Sequence, residues 1–128
     1  KGSGNMILAL DLSSDVPIYM QIRNQIVMGI SEGKLAPGDK LPTIRNLAAE
    51  SGINSMTVNK AYQLLKQENF ITTDRRSGAV VNDISQGGNG ISKVLEDKLR
   101  LLISEMHLSG VTKDDFVNKC RELFEEGR

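Results

Sequence analysis

Ser55, Thr57, Asn59 and Lys60 lie within six consecutive positions and supply two hydroxyls, an amide and an ammonium, with no acid among them. Short hydrogen-bond donors and a cation at that density suit the phosphate oxygens and base edges of a nucleic-acid duplex. Arg75 and Arg76 form a second basic cluster, beside Gly78. Other chemistry finds little support. His107 is the only histidine and Cys120 the only cysteine, far apart in sequence, so neither a metal site nor a Cys–His nucleophile has visible partners. Gly87-Gly88-Asn89-Gly90 follows a polar stretch and lacks the lysine of a phosphate-cradling loop. The five methionines are scattered. No catalytic group, metal or cofactor is therefore expected.

The elements that must hold the donor cluster are legible in the surrounding pattern. Val58, Ala61, Tyr62 and Leu65 recur at i, i+3, i+4 and i+7, which predicts a helix over 54–65 with one apolar face. Asn54 is suited to its N-cap. Upstream, residues 43–52 read as a shorter helix with Thr43 as N-cap and Gly52 as the stop. Two short helices joined by a tight glycine-containing turn form a helix-turn-helix, whose second helix reads the duplex. Residues 70–73 and 79–82 are rich in β-formers, and 74–78 between them form a hairpin tip carrying the two arginines. A hairpin after a helix-turn-helix is a wing (70–82), and its arginines would suit a phosphate or a narrow minor groove.

Further upstream, Asp15-Val16-Pro17 predicts a helix start with Asp15 as N-cap and Pro17 in the first turn. Ile18, Ile22, Ile26 and Ile30, with Tyr19 and Val27, make its buried stripe, and Gly33 ends it. Pro37-Gly38 favours a type II turn, and Lys40-Leu41-Pro42 a short extended piece. Met6 to Leu12 alternates weakly, as an extended arm would. Lys1-Gly2-Ser3-Gly4 reads as a cloning remnant, with Met6 a candidate native start.

The chain of 128 residues, 39% hydrophobic, can bury one modest core plus an appendage. Its formal net charge is zero, so no global basic signal points to nucleic acid; locally, residues 39–80 hold six Lys/Arg against four Asp/Glu. A single cysteine excludes an internal disulfide and fits a reducing cytoplasm. No apolar run approaches the roughly 20 residues that span a bilayer.

Pro17-Ile18-Tyr19 with Gln21-Ile22, Gly33 to Gly38, Leu41-Pro42-Thr43 with Arg45, Leu47-Ala48, Thr57-Val58 and Ala61-Tyr62 together resemble the GntR family of bacterial transcription regulators. The resemblance runs from about Pro17 to Val81. It implies a winged helix-turn-helix that binds operator DNA, with contacts at Arg45, Ser55, Thr57, Asn59 and the wing near Gly78. Thr43, Asn54, Lys60, Arg75 and Arg76 are counted with them. The family commonly has arginine where Ser55 stands, and often another at Asn59 or Lys60. Arginine is the usual reader of guanine and asparagine of adenine, so the sequence preference does not carry over.

Residues 85–90 are a linker by composition. Beyond it, Ile91 to Leu108 reads as a helix with Leu95, Leu99, Leu102, Ile103 and Met106 on one face. Ser109-Gly110 breaks it, and Thr112 to Asp115 cap a second helix with Phe116, Cys120, Leu123 and Phe124. Two such helices cannot enclose a core alone, so their stripes need a partner. A tail of roughly 40 residues has no room for a ligand pocket of several hundred Å³; in this it resembles the YtrA subfamily, in which such a tail dimerises and members are commonly repressors.

The expected architecture is α+β: a winged helix-turn-helix head (6–84), a linker (85–90) and a two-helix all-α dimerisation tail (91–128). The expected function is a homodimeric repressor on an inverted-repeat operator, its seam built from Leu95, Leu99, Leu102, Met106, Phe116, Leu123 and Phe124. Whether a small-molecule effector acts is open. The alternative, supported by the neutral charge and the missing arginine, is a winged-helix protein-interaction module.

Overall fold

A computed structural model describes residues 8–76, 78–84 and 90–126. The remnant-like start, Met6 and residues 85–89 of the expected linker lie outside the described residues. The chain divides into two compact units, with the boundary after Ile84.

In the first unit, helices α1 (Ile18–Ser31), α2 (Ile44–Ser51) and α3 (Ser55–Gln67) precede strands β1 (Ile71–Asp74) and β2 (Gly78–Val81). The strands pair antiparallel, with Ile71 opposite Val81 and Asp74 opposite Gly78. A third short strand adds to the other edge of β2 at Lys40, opposite Val80. There the Leu41 N–H donates to the Ala79 carbonyl at 2.9 Å and the Val81 N–H to the Asp39 carbonyl at 2.9 Å. The core collects the apolar faces of all these elements: Ile22 and Ile26 from α1, Leu47 from α2, Val58, Ala61, Tyr62 and Leu65 from α3, Ile71 and Val81 from the sheet. At roughly 25 cal/mol per Å² of apolar surface, this shared burial, more than helix propensity, holds the short helices.

Local chemistry sets the element ends. The Thr43 hydroxyl accepts the Asn46 N–H at 3.0 Å, and Gly52 leaves α2 at φ 69°. The type II turn forms at Ala36–Asp39, with Gly38 at φ 90° and the Asp39 N–H on the Ala36 carbonyl at 3.0 Å. Three boundaries differ from the sequence reading. Asp15 is not the cap of α1: Pro17 stands at the N-cap, and its carbonyl takes the Met20 and Gln21 N–H groups, both at 3.0 Å. Helix α3 runs two residues beyond Leu65, to Gln67. The wing strands sit one residue off, so Gly78 belongs to β2 and the loop is shorter than 74–78.

The arm before α1 is fastened by two glutamines one helical turn apart. Gln21, buried, accepts the Asp11 N–H at 2.8 Å and donates to the carbonyls of Asp11 (2.9 Å) and Val16 (2.8 Å). Gln25 does the same for Ala9, accepting its N–H at 2.9 Å and donating to its carbonyl at 2.7 Å. The side-chain amides act as a strand partner for alternate arm residues, which turns Leu8 and Leu10 toward the core.

The second unit is a helical hairpin of α4 (Lys93–Leu108) and α5 (Lys113–Glu126). The Ser92 hydroxyl accepts the Leu95 N–H, and the Thr112 hydroxyl the Asp115 N–H. Neither helix has a buried residue. Among the described residues no helix is long and apolar enough to cross a membrane.

Candidate nucleic-acid interface

The start of α3 is fixed from three directions. Its cap Asn54 accepts the Met56 N–H on Oδ1 at 2.7 Å. The turn before it closes with the Ile53 N–H on the Ala48 carbonyl at 3.0 Å. In the middle, the Tyr62 hydroxyl donates to the Pro42 carbonyl at 2.7 Å, tying α3 to the chain just ahead of α2. Burial pushes the Tyr62 phenol well above its ordinary range. At its far end, Arg23 of α1 donates to Glu68 at 2.9 Å while lying over the Phe70 ring. The recognition helix is a preset surface.

Tyr62→Phe removes the donor and leaves the Pro42 carbonyl unpaired, so a loss of about 1–3 kcal/mol in unfolding free energy is expected. The raised phenol pKa adds a pH signature. Ionisation favours the unfolded chain, so the contribution is complete below about pH 10 and is lost as pH rises beyond the unfolded phenol's value. Urea unfolding between pH 7 and 11 checks both: the alkaline decline should be shallower in Tyr62→Phe.

With Val58, Ala61, Tyr62 and Leu65 committed to the core, the outward face of α3 is the complementary set Met56, Asn59, Lys60 and Gln63, all exposed. The four sequence-predicted donors therefore do not share one face. Ser55 and Asn59, four apart, lie on one flank; Thr57, half-buried, stands roughly 200° around the helix from Asn59. Lys60 is exposed but not idle, since its Nζ rests 4.1 Å from the centroid of the Tyr19 ring on α1. An exposed contact of this kind contributes about 0.5–1 kcal/mol, little enough for a phosphate to compete with. Met56 and Gln63 were missed because donor chemistry was sought. The signal that finds them is the buried quartet's own spacing, moved two residues back.

Thr43 and Arg45 are exposed at the start of α2, Thr43 with its hydroxyl engaged as the cap. On the wing, Arg75 and Arg76 are exposed, and the Arg76 N–H is held by Asp74 Oδ1 at 3.0 Å. Gly78 returns the chain at φ 73°, where a Cβ would meet open space; backbone conformation, not room, calls for glycine there. No group of three or more His, Cys, Asp or Glu side chains among the described residues could hold a metal ion.

In the second unit Met106, Phe116 and Cys120 are half-buried within the hairpin, while Leu95, Leu99, Leu102, Leu123 and Phe124 remain exposed. Val94, Leu101 and Leu108, seven residues apart and also exposed, form a second apolar row absent from the sequence reading.

Residues 18–81 match the family described as bacterial regulatory proteins, gntR family. The chain belongs to the GntR family. It is a DNA-binding transcription regulator of the YtrA-like kind. It is 35% identical over 119 residues to the HTH-type transcriptional repressor YtrA of Bacillus subtilis (strain 168), across 91% of this chain and 92% of that one. The crystal structure of a transcriptional antiterminator from Listeria monocytogenes EGD-e is 28% identical, covers 96% of this chain and 93% of its own, and superposes with a TM-score of 0.84. The AraR DNA-binding domain in complex with operator ORE1 is 25% identical, covers 62% of this chain and 96% of its own, with a TM-score of 0.50.

Proposed function

We propose that this GntR protein is a homodimeric cytoplasmic repressor, without enzymatic activity, that binds an inverted-repeat operator. One α3 and one wing from each copy would engage each half-site, and the α4–α5 hairpins would join the copies. The observation that carries the reading is the outward face of α3, which holds Asn59, Lys60 and Gln63, contains no acid, and is fixed by the Asn54 cap. Asn59 is the base reader of choice, its amide matching the donor–acceptor pair of adenine in the major groove. Lys60, Ser55 and Arg45 supply sequence-independent contacts to phosphates, with Thr57 on the shoulder and Thr43 and Asn54 at the two helix starts. Arg75 and Arg76 would flank the groove. A two-fold dimer sets half-site centres roughly 34–36 Å apart if both helices enter one face of the duplex.

Selection of bound sequences from a random duplex pool tests this. An inverted repeat should emerge, with log affinity falling linearly with log salt as released counterions require. Asn59→Ala should relax preference at one position of each half-site by about 1–3 kcal/mol. Lys60→Ala should weaken all duplexes alike and flatten the salt slope. If Asn59→Ala discriminates as the wild type does, α3 is not the reader; if no duplex is retained, the head serves protein contacts instead.

A further inference from the structure

Met56 is the one apolar side chain on the outward face of α3, and 76% of its surface is open to solvent. It lies roughly 160° around the helix from Val58, nearly opposite the core. Asn59, Lys60 and Gln63 follow it at i+3, i+4 and i+7, so it opens the row in which the polar readers stand. Helical side chains tilt toward the N-terminus, which carries Met56 out over the first turn. In a helix-turn-helix that turn is the part that meets base edges. The residue is also positioned, because its own N–H is held by the Asn54 cap at 2.7 Å.

A thioether offers a phosphate nothing, having no donor. In the major groove the apolar group presented by the bases is the C5-methyl of thymine. Methionine is unbranched and polarizable, suited to lying along such a methyl while Asn59 bonds a neighbouring base. We propose that Met56 is a specificity-determining residue that packs against the C5-methyl of a thymine in each half-site. This rests on the reading of α3 as the operator reader.

The test uses the full chain and the duplex enriched from a random pool, with each thymine replaced singly by deoxyuracil, which lacks only the methyl. For the wild type, one substitution per half-site should weaken binding about fourfold, the worth of one buried methyl group. For Met56→Ala the same substitution should have no effect, and the variant's thermal unfolding should match the wild type because the side chain is exposed. Uracil effects that are absent, or equal in both proteins, would overturn the assignment of Met56 while leaving operator binding intact. A pool in which no sequence is enriched would instead sink operator reading itself, and this inference with it.

Discussion

Replacing Arg75 and Arg76 together with glutamate should abolish tight duplex binding while leaving the head folded. Both side chains are exposed at the turn between β1 and β2, beside the face where α3 presents its readers. Duplex DNA carries about one negative charge per 1.7 Å, so removing two cations and adding two anions exchanges attraction for repulsion at the phosphates. Like-charge juxtaposition across an interface costs several kcal/mol, so a loss of roughly a hundredfold or more in affinity is expected at low salt. The log–log salt slope should flatten by about two, one unit for each lost phosphate contact. Folding should respond little. The wing loop is held through backbone groups, by the Asp74–Gly78 pairing and by the Arg76 N–H on Asp74, none of which needs an arginine side chain. Exposed substitutions of this kind stay within about 0.5 kcal/mol. Wild-type affinity in the double variant, measured by titration at 50 and 200 mM salt, would remove the wing from the mechanism.

The features legible in the sequence were those whose cause lies within a few residues. Thr43, Gly52 and Asn54 mark helix ends because cap and N–H partner are two to four positions apart. The type II turn at Pro37-Gly38 is likewise local. The core stripes follow from periodicity, since a side chain's direction on a helix depends only on its register. What escaped was tertiary. Nothing in the arm's own pattern reveals that Gln21 and Gln25 will pair with the backbone of Asp11 and Ala9. The ring of Tyr19 under Lys60 is set by how α1 packs against α3. Asp15 looked like a cap by residue type, yet Pro17 takes the position, its extended ψ of 147° suiting an N-cap and its carbonyl receiving the first-turn N–H groups. In the site, the type of each residue was read correctly but its azimuth was not: a run of donors was treated as a face, although a helix spreads consecutive residues all the way around.

Deletion of everything after Asn89 should cost 10²- to 10⁴-fold in affinity for a duplex carrying both half-sites, while a single half-site is bound as weakly as before. Each residue of the head's core cluster lies before Asn82, so the head retains its core without the tail. The hairpin has no such closure. Not one residue of α4 or α5 is buried, and Leu95, at 57% exposure, and Leu99, at 37%, stand beside the exposed Leu102, Leu123 and Phe124. Val94, Leu101 and Leu108 extend the uncovered apolar area around α4. Burying each Leu or Phe side chain contributes about 1.5–3 kcal/mol, so a handful meeting their counterparts in a second copy can offset the entropy of association. One winged helix reads too few base pairs to find an operator alone. Joining two makes the second binding event intramolecular at an effective concentration in the millimolar range, which is where the 10²- to 10⁴-fold resides. Leu99→Glu with Leu102→Glu in the full chain should reproduce the loss with the hairpin still present, because charges brought into that seam would be desolvated without partners. Sedimentation should find the native chain dimeric at micromolar concentration and both altered chains monomeric. A dimer that survives the truncation, or a native chain that sediments as a monomer, would sink the assignment of α4 and α5 as the contact between copies.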